Sequence, residues 1–163
     1  WVYEAGETKL AAQFFQVKHA FVKVDDGAWG IGLVAGLARD RTREAKSDWG
    51  DPYFLVPFSF GIGEDKDTRW LVHLNVGTTR NREEARNLTL WGVALEKPVT
   101  ERLTLLGETY GENSRKPFYR VGGRFTVIPD HLDVDLTYVD RPGGERGDRL
   151  WSLGFHLEGD VFK

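Results

Sequence analysis

A chain of 163 residues, 40% hydrophobic and 29% charged, fits a single domain and is long enough to enclose a core or close a barrel. A net charge of -3 with a pI near 5.8 gives no reason to expect nucleic acid. The absence of Cys removes both a disulfide framework and a Cys metal site. No apolar run approaches the length of a spanning helix, which excludes a helical membrane protein but not a β-barrel, whose strands are only half apolar.

Aromatic residues at 13% together with 19 glycines favour strands and turns over helices. Residues 1–12 read as the end of one strand, Trp1 to Ala5, a turn around Gly6 and the start of another. The strand from about Leu10 to Val24 sorts Phe15, Val17 and Phe21 from Gln16, Lys18 and Ala20. His19 falls among the apolar residues, and a β-bulge is expected to re-aim it. From Trp29 to Arg39, Trp29, Ile31, Leu33, Ala35 and Leu37 oppose Gly30, Gly32 and Gly36. After a polar segment, Asp40 to Asp51, the run Tyr53–Ile62 places Phe54, Val56, Phe58, Phe60 and Ile62 on one face. Pro57 removes one ladder hydrogen bond there, so a bulge or an edge is expected.

Trp70 to Thr78 sets Trp70, Val72, Leu74 and Val76 against Leu71, His73, Asn75 and Gly77. The charged stretch Arg80–Asn87 reads as a loop. Thr89 to Lys97 then sets Trp91, Val93 and Leu95 against Leu90, Gly92, Ala94 and Glu96. Leu103–Tyr110 carries Glu108 on its less apolar side. Three further strands fill Phe118–Leu157, with Arg120, Arg124, Asp133, Asp135 and His156 on the polar parity and Tyr119, Val121, Phe125, Leu136, Tyr138, Trp151 and Phe155 on the apolar one. Period two means a sheet with one apolar and one polar face. No segment has a helical period, so the fold class is all-β, with about nine clear strands and part of a tenth. The turn at Pro129-Asp130 fixes a register that places Arg124 opposite Asp135, in a network with Glu108 and Glu96.

Connections read as alternating short (25–28, 64–69, 98–101, 128–131) and long (40–51, 80–87, 111–117, 140–149). Short turns at one end and long loops at the other are the habit of outer-membrane barrels. The rings of the apolar face gather near strand ends, as interfacial girdles do. The expected fold is therefore an antiparallel up-and-down transmembrane β-barrel. Its lumen is lined by Lys18, His73, Asn75, Glu96, Glu108, Arg120, Arg124, Asp133, Asp135 and His156, and its lipid-interface aromatics are Trp29, Phe54, Trp70, Trp91, Tyr138 and Trp151. A soluble ligand-binding barrel and a plugged structural barrel are the alternatives.

The segments WGVALEKPVTERLTLL, LTLLGETYGE, KPFYRVGGRFTVIPDHLDVDLTY and RLWSLGFHL, and more loosely QVKHAFVKVDDGAWGIGLVAGLARD, carry a resemblance. They resemble the C-terminal half of proteobacterial outer-membrane proteins associated with the meta-pathway of phenol degradation. The resemblance implies a barrel in the outer membrane of a Gram-negative bacterium, with outer-membrane lipid around it and a channel or passive-transport role for small, hydrophobic or aromatic solutes. The chain opens on Trp1 and holds no Met, so it is expected to be processed or trimmed and its first strand to be incomplete. The polar EGD run before Phe162, and Lys163 after it, depart from the aromatic ending such strands often have.

No catalytic residue, metal or cofactor is expected. Ser152 and His156 share a face but stand too far apart along a strand to bond, and His73 and Glu108 read as lumen filling. The four His lack metal-site spacing, and the Gly-rich runs lie inside strands. Asn87-Leu88-Thr89 is a chance sequon.

Overall fold

The computed structural model describes residues 2–4, 7–9, 12–24, 28–40, 51–65, 68–81, 85–144 and 149–157. A short hairpin, β1 (Val2–Glu4) with β2 (Glu7–Lys9), stands apart from a nine-stranded sheet. The sheet runs β3 (Ala12–Val22), β4 (Trp29–Asp40), β5 (Asp51–Ile62), β6 (Trp70–Asn81), β7 (Arg86–Thr100), β8 (Leu103–Glu112), β9 (Phe118–Ile128), β10 (Leu132–Asp140) and β11 (Leu150–Leu157). Each strand pairs antiparallel with its neighbours in sequence. Among the described residues no pairing joins β3 to β11, so the sheet is open rather than closed. The expected part of a tenth strand is a separate hairpin instead, of which Val2–Glu4 is one arm; Trp1 and Ala5 lie outside the described residues.

The ladders explain several local features. Leu132 pairs with Ile128 but Asp133 with Thr126, a bulge just past the turn in which His131 N donates to Ile128 O at 3.0 Å. Asp130 takes φ 62° there, a conformation that Asp tolerates better than most residues. In β3 the register shifts between Ala20 and Val22. This bulge falls after His19 and does not re-aim it, and the His19 ring meets Phe21 edge-on at 4.8 Å. Pro57 produces no register shift. Ile31↔Phe58 and Val34↔Leu55 keep one register while the two intervening pairs are missing, and the β5–β6 ladder runs through Pro57↔Asn75 without a break. The missing N–H interrupts one side of the strand only.

The loop pattern is less regular than the sequence implied. The connection 82–85 is shorter than 63–69, because β6 and β7 stay paired out to Arg80↔Asn87 and Asn81↔Arg86. The contrast between the two ends rests on 41–50 and 141–149 against 101–102 and 129–131.

Apolar side chains stand mostly exposed on one face of the sheet. Among the described residues the buried apolar side chains are only Tyr53, Val72, Leu88 and Val139. Phe15, Val17, Phe54, Val76, Val121, Phe125, Leu136, Leu153 and Phe155 are exposed. The chain exposes 11914 Å², whereas surface-to-mass scaling gives roughly 8200 Å² for a compact soluble protein of this mass. The apolar parity thus forms one open face, and the polar parity lines a trough.

Close packing across that trough needs small residues. Gln16, Gly36 and Tyr53 stand in one row across β3, β4 and β5. The Tyr53 ring lies over Gly36 and its hydroxyl donates to Gln16 Oε1 at 2.8 Å. A Cβ at residue 36 would come within 2.6 Å of that ring, so the row is possible only with glycine in the middle.

Candidate functional site

Among the described residues the polar face carries three cavities arranged along the strands. The middle one, about 430 Å³, is bordered by Ser59, His73, Asn75, Glu96, Glu108, Arg120, Arg124, Asp135, Thr137 and Ser152, drawn from β5 to β11. The largest, about 810 Å³, lies toward the end that holds residues 113–117 and 141, and it shares Pro57, Asn75 and Glu108 with the first. The third, about 300 Å³, sits at the opposite end around Glu101, the 129–132 turn, Asp133 and His156.

In the middle cavity, side chains on successive strands hand one polar contact to the next. Ser59 and His73 are partners across the β5–β6 ladder, and Ser59 Oγ meets His73 Nδ1 at 2.8 Å. His73 Nε2 lies 3.6 Å from Glu96 Oε1 on β7. Glu96 Oε2 accepts from Arg124 Nη1 at 3.4 Å, across the whole width of β8. Arg124 Nε donates to Asp135 Oδ1 on β10 at 2.9 Å. One arginine therefore forks to carboxylates on both sides, a geometry that suits the planar guanidinium.

The register expected for Arg124 and Asp135 holds, since the two are direct cross-strand partners. Glu96 joins them. Glu108 does not. It pairs with its own ladder partner Arg120, whose Nη1 donates to Glu108 Oε2 at 3.0 Å. The Arg120 guanidinium also stands 5.3 Å from the Tyr110 ring. Asp133 belongs to the third cavity, where it accepts from Thr126 Oγ1 at 2.7 Å and faces His156 across the ladder. Lys18 borders the largest cavity, and Asn75 borders both it and the middle one. All ten expected polar residues thus lie on the trough, in three groups rather than one.

Ser59, Thr137, Tyr110, Phe118, Arg115, Lys116 and Arg141 also line these cavities and were not singled out from sequence. Ser59 was recoverable, because it alternates against Phe58 and Phe60. Tyr110 and Phe118 occupy the polar parity but are themselves rings, so parity alone did not mark them.

Ser59, His73 and Glu96 follow one another as a nucleophile, base and acid would. The acid contact, 3.6 Å, is too long for the hydrogen bond that orients such a base, and Glu96 also takes Arg124. The three side chains fit the charge ladder better than an acyl-transfer site. Among the described residues no three His, Asp or Glu come close enough to hold a metal ion.

On the apolar face the rings fall in two bands. Near the end that holds 63–69 and 101–102 are Trp29, stacked with Phe58 at 6.0 Å, and Trp70, with Lys97 Nζ 5.5 Å from its ring centroid. Near the other end are Phe54, and Tyr138 against Trp151 at 5.1 Å. Trp91 pairs with Val76 on that face and its residue also borders the largest cavity.

Fold and site together define an antiparallel open sheet with a polar, ion-paired trough and an apolar, ring-banded outer face. The chain matches the family described as uncharacterised conserved protein UCP029691 over residues 4–154, and it belongs to that family. No curated protein and no solved structure matches the chain.

Proposed function

We propose that the protein is an outer-membrane β-barrel whose trough is the lumen of a passive conduit for small solutes. The observation that carries this reading is the inverted polarity. Charges line the trough while Trp, Phe, Leu and Val side chains stand exposed on the other side, strand after strand. Strand lengths agree, since β4, β5 and β6 have 12 residues each and β8 has 10, against the roughly 9–11 that cross a bilayer when tilted. The two bands of rings sit where interfacial girdles would.

Strand direction sets what closure would require. β3 and β11 run the same way, so an antiparallel cylinder needs an odd number of further strands between their edges, giving the even total usual for such barrels. The localisation that goes with this reading is the outer membrane of a Gram-negative bacterium, with lipid as the surrounding partner. The role assigned to the ion pairs is to hold and shape the lumen; no catalytic step is assigned to it.

Planar-bilayer recordings on the detergent-extracted full chain test the conduit. Stepwise conductance is expected, and both Arg120→Ala and Glu108→Ala are expected to change its size, with Arg120→Ala shifting selectivity toward cations. Silence in the parent and in both variants would replace the conduit with a plugged structural barrel.

A further inference from the structure

We infer that the largest cavity is a binding site for organic anions that carry an apolar body; this rests on the trough being a solute-accessible lumen. Much of its wall is apolar, with Val34, Leu55, Leu90, Tyr110 and Phe118 contributed by five different strands. Tyr110 and Phe118 stack at 5.5 Å and 23° and present one continuous aromatic surface. Each ring already carries a guanidinium, Arg120 at 5.3 Å from Tyr110 and Arg141 at 3.7 Å from Phe118, so the aromatic surface is framed by positive charge.

Among the described residues that border this cavity the acids are Glu108 and Glu112, and the bases are Lys18, Arg115, Lys116 and Arg141. Glu108 is taken by Arg120, which borders the neighbouring cavity, and Glu112 by Arg115 at 3.3 Å. Lys18 from β3 and Lys116 from the β8–β9 connection then face the cavity from opposite sides, and among the described residues neither makes an ion pair with a carboxylate. An apolar wall bordered by two ammonium groups that pair with no described carboxylate matches a ligand with a hydrocarbon or ring body and one carboxylate or sulfonate head. A neutral solute would leave the positive charge unanswered, and a cation would be repelled. Few well-placed polar groups around an apolar pocket is the usual design of a small-molecule site.

Three probes share one body and differ in the head: 4-phenylbutyrate, its primary amide and 4-phenylbutylamine. Calorimetric titration of each into the detergent-extracted full chain, against detergent alone, reads the preference. The carboxylate is expected to bind at least about tenfold more tightly than the amide, a difference of about 1.4 kcal/mol, and the amine most weakly. In Lys18→Met/Lys116→Met the carboxylate should fall to the affinity of the amide, while the amide's own affinity stays put. High salt should erode the carboxylate's advantage. Equal binding of all three, no binding of any, or carboxylate binding that survives the double substitution would overturn the proposal. Conductance without head-group preference would sink this site and leave the conduit standing; preference without conductance would do the reverse.

Discussion

Leu136→Arg is expected to cost about 2–4 kcal/mol in a lipid environment, the penalty for a cation near the bilayer midplane of a barrel's outer face. Leu136 is at the middle of β10, 51% exposed, between Gly123 of β9 and Leu153 of β11. If water bathed that face, the same substitution would replace an exposed side chain by a soluble one and move stability by no more than about 0.5 kcal/mol. The prediction therefore separates the two solvents by several-fold in energy at a single position. Unfolding of the purified protein in urea with lipid bilayers present reads the difference. Leu136→Ala, which leaves the face apolar, serves as its control.

Arg124→Met is the second large effect. It leaves Glu96 and Asp135 without their shared cation, and it keeps the bulk of the side chain. Stranding the partners of a charged hydrogen bond costs about 1–3 kcal/mol. The fully buried figure of about 3–5 kcal/mol does not apply, because the Arg124 side chain is 36% exposed to the trough. Arg124→Lys is expected to recover only part of the loss, since an ammonium supplies a point charge and cannot fork to Glu96 and Asp135 together. Adding Asp135→Asn to Arg124→Met should restore part of the stability, because it removes one of the two stranded charges. A urea midpoint that is unchanged in Arg124→Met would show that the ladder contributes nothing.

Much of this architecture was readable from alternation. Nine strands follow from parity because each residue's face is decided locally, by the pleat. Parity failed where backbone pairing continues past the apolar band. Arg80, Asn81, Arg86 and Asn87 read as loop for their polarity, yet they are laddered, and Arg80 Nη1 donates to Asn87 Oδ1 at 3.2 Å. The same extension made the connection at 82–85 short and weakened the expected alternation of loop lengths.

The site divides in the same way. Arg124 opposite Asp135 was legible, because a tight turn fixes the register of adjacent strands. The membership of Glu96 was legible too, and Arg124 reaches it over β8. The pairing of Glu108 with Arg120 rather than with Arg124 depends on the β8–β9 register, which a longer connection leaves open. The aromatic floor of Tyr110 and Phe118 was missed because rings on the polar parity carry no mark of the cavity they line.

The central claim is that the apolar face meets lipid, and cell fractionation combined with heat-modifiable migration tests it most directly. Expressed in a Gram-negative host, the full chain is expected in the outer-membrane fraction, released only by detergent, with different gel mobilities before and after boiling in dodecyl sulfate. Recovery of folded protein in the aqueous fraction without detergent, with one mobility in both conditions, would contradict it.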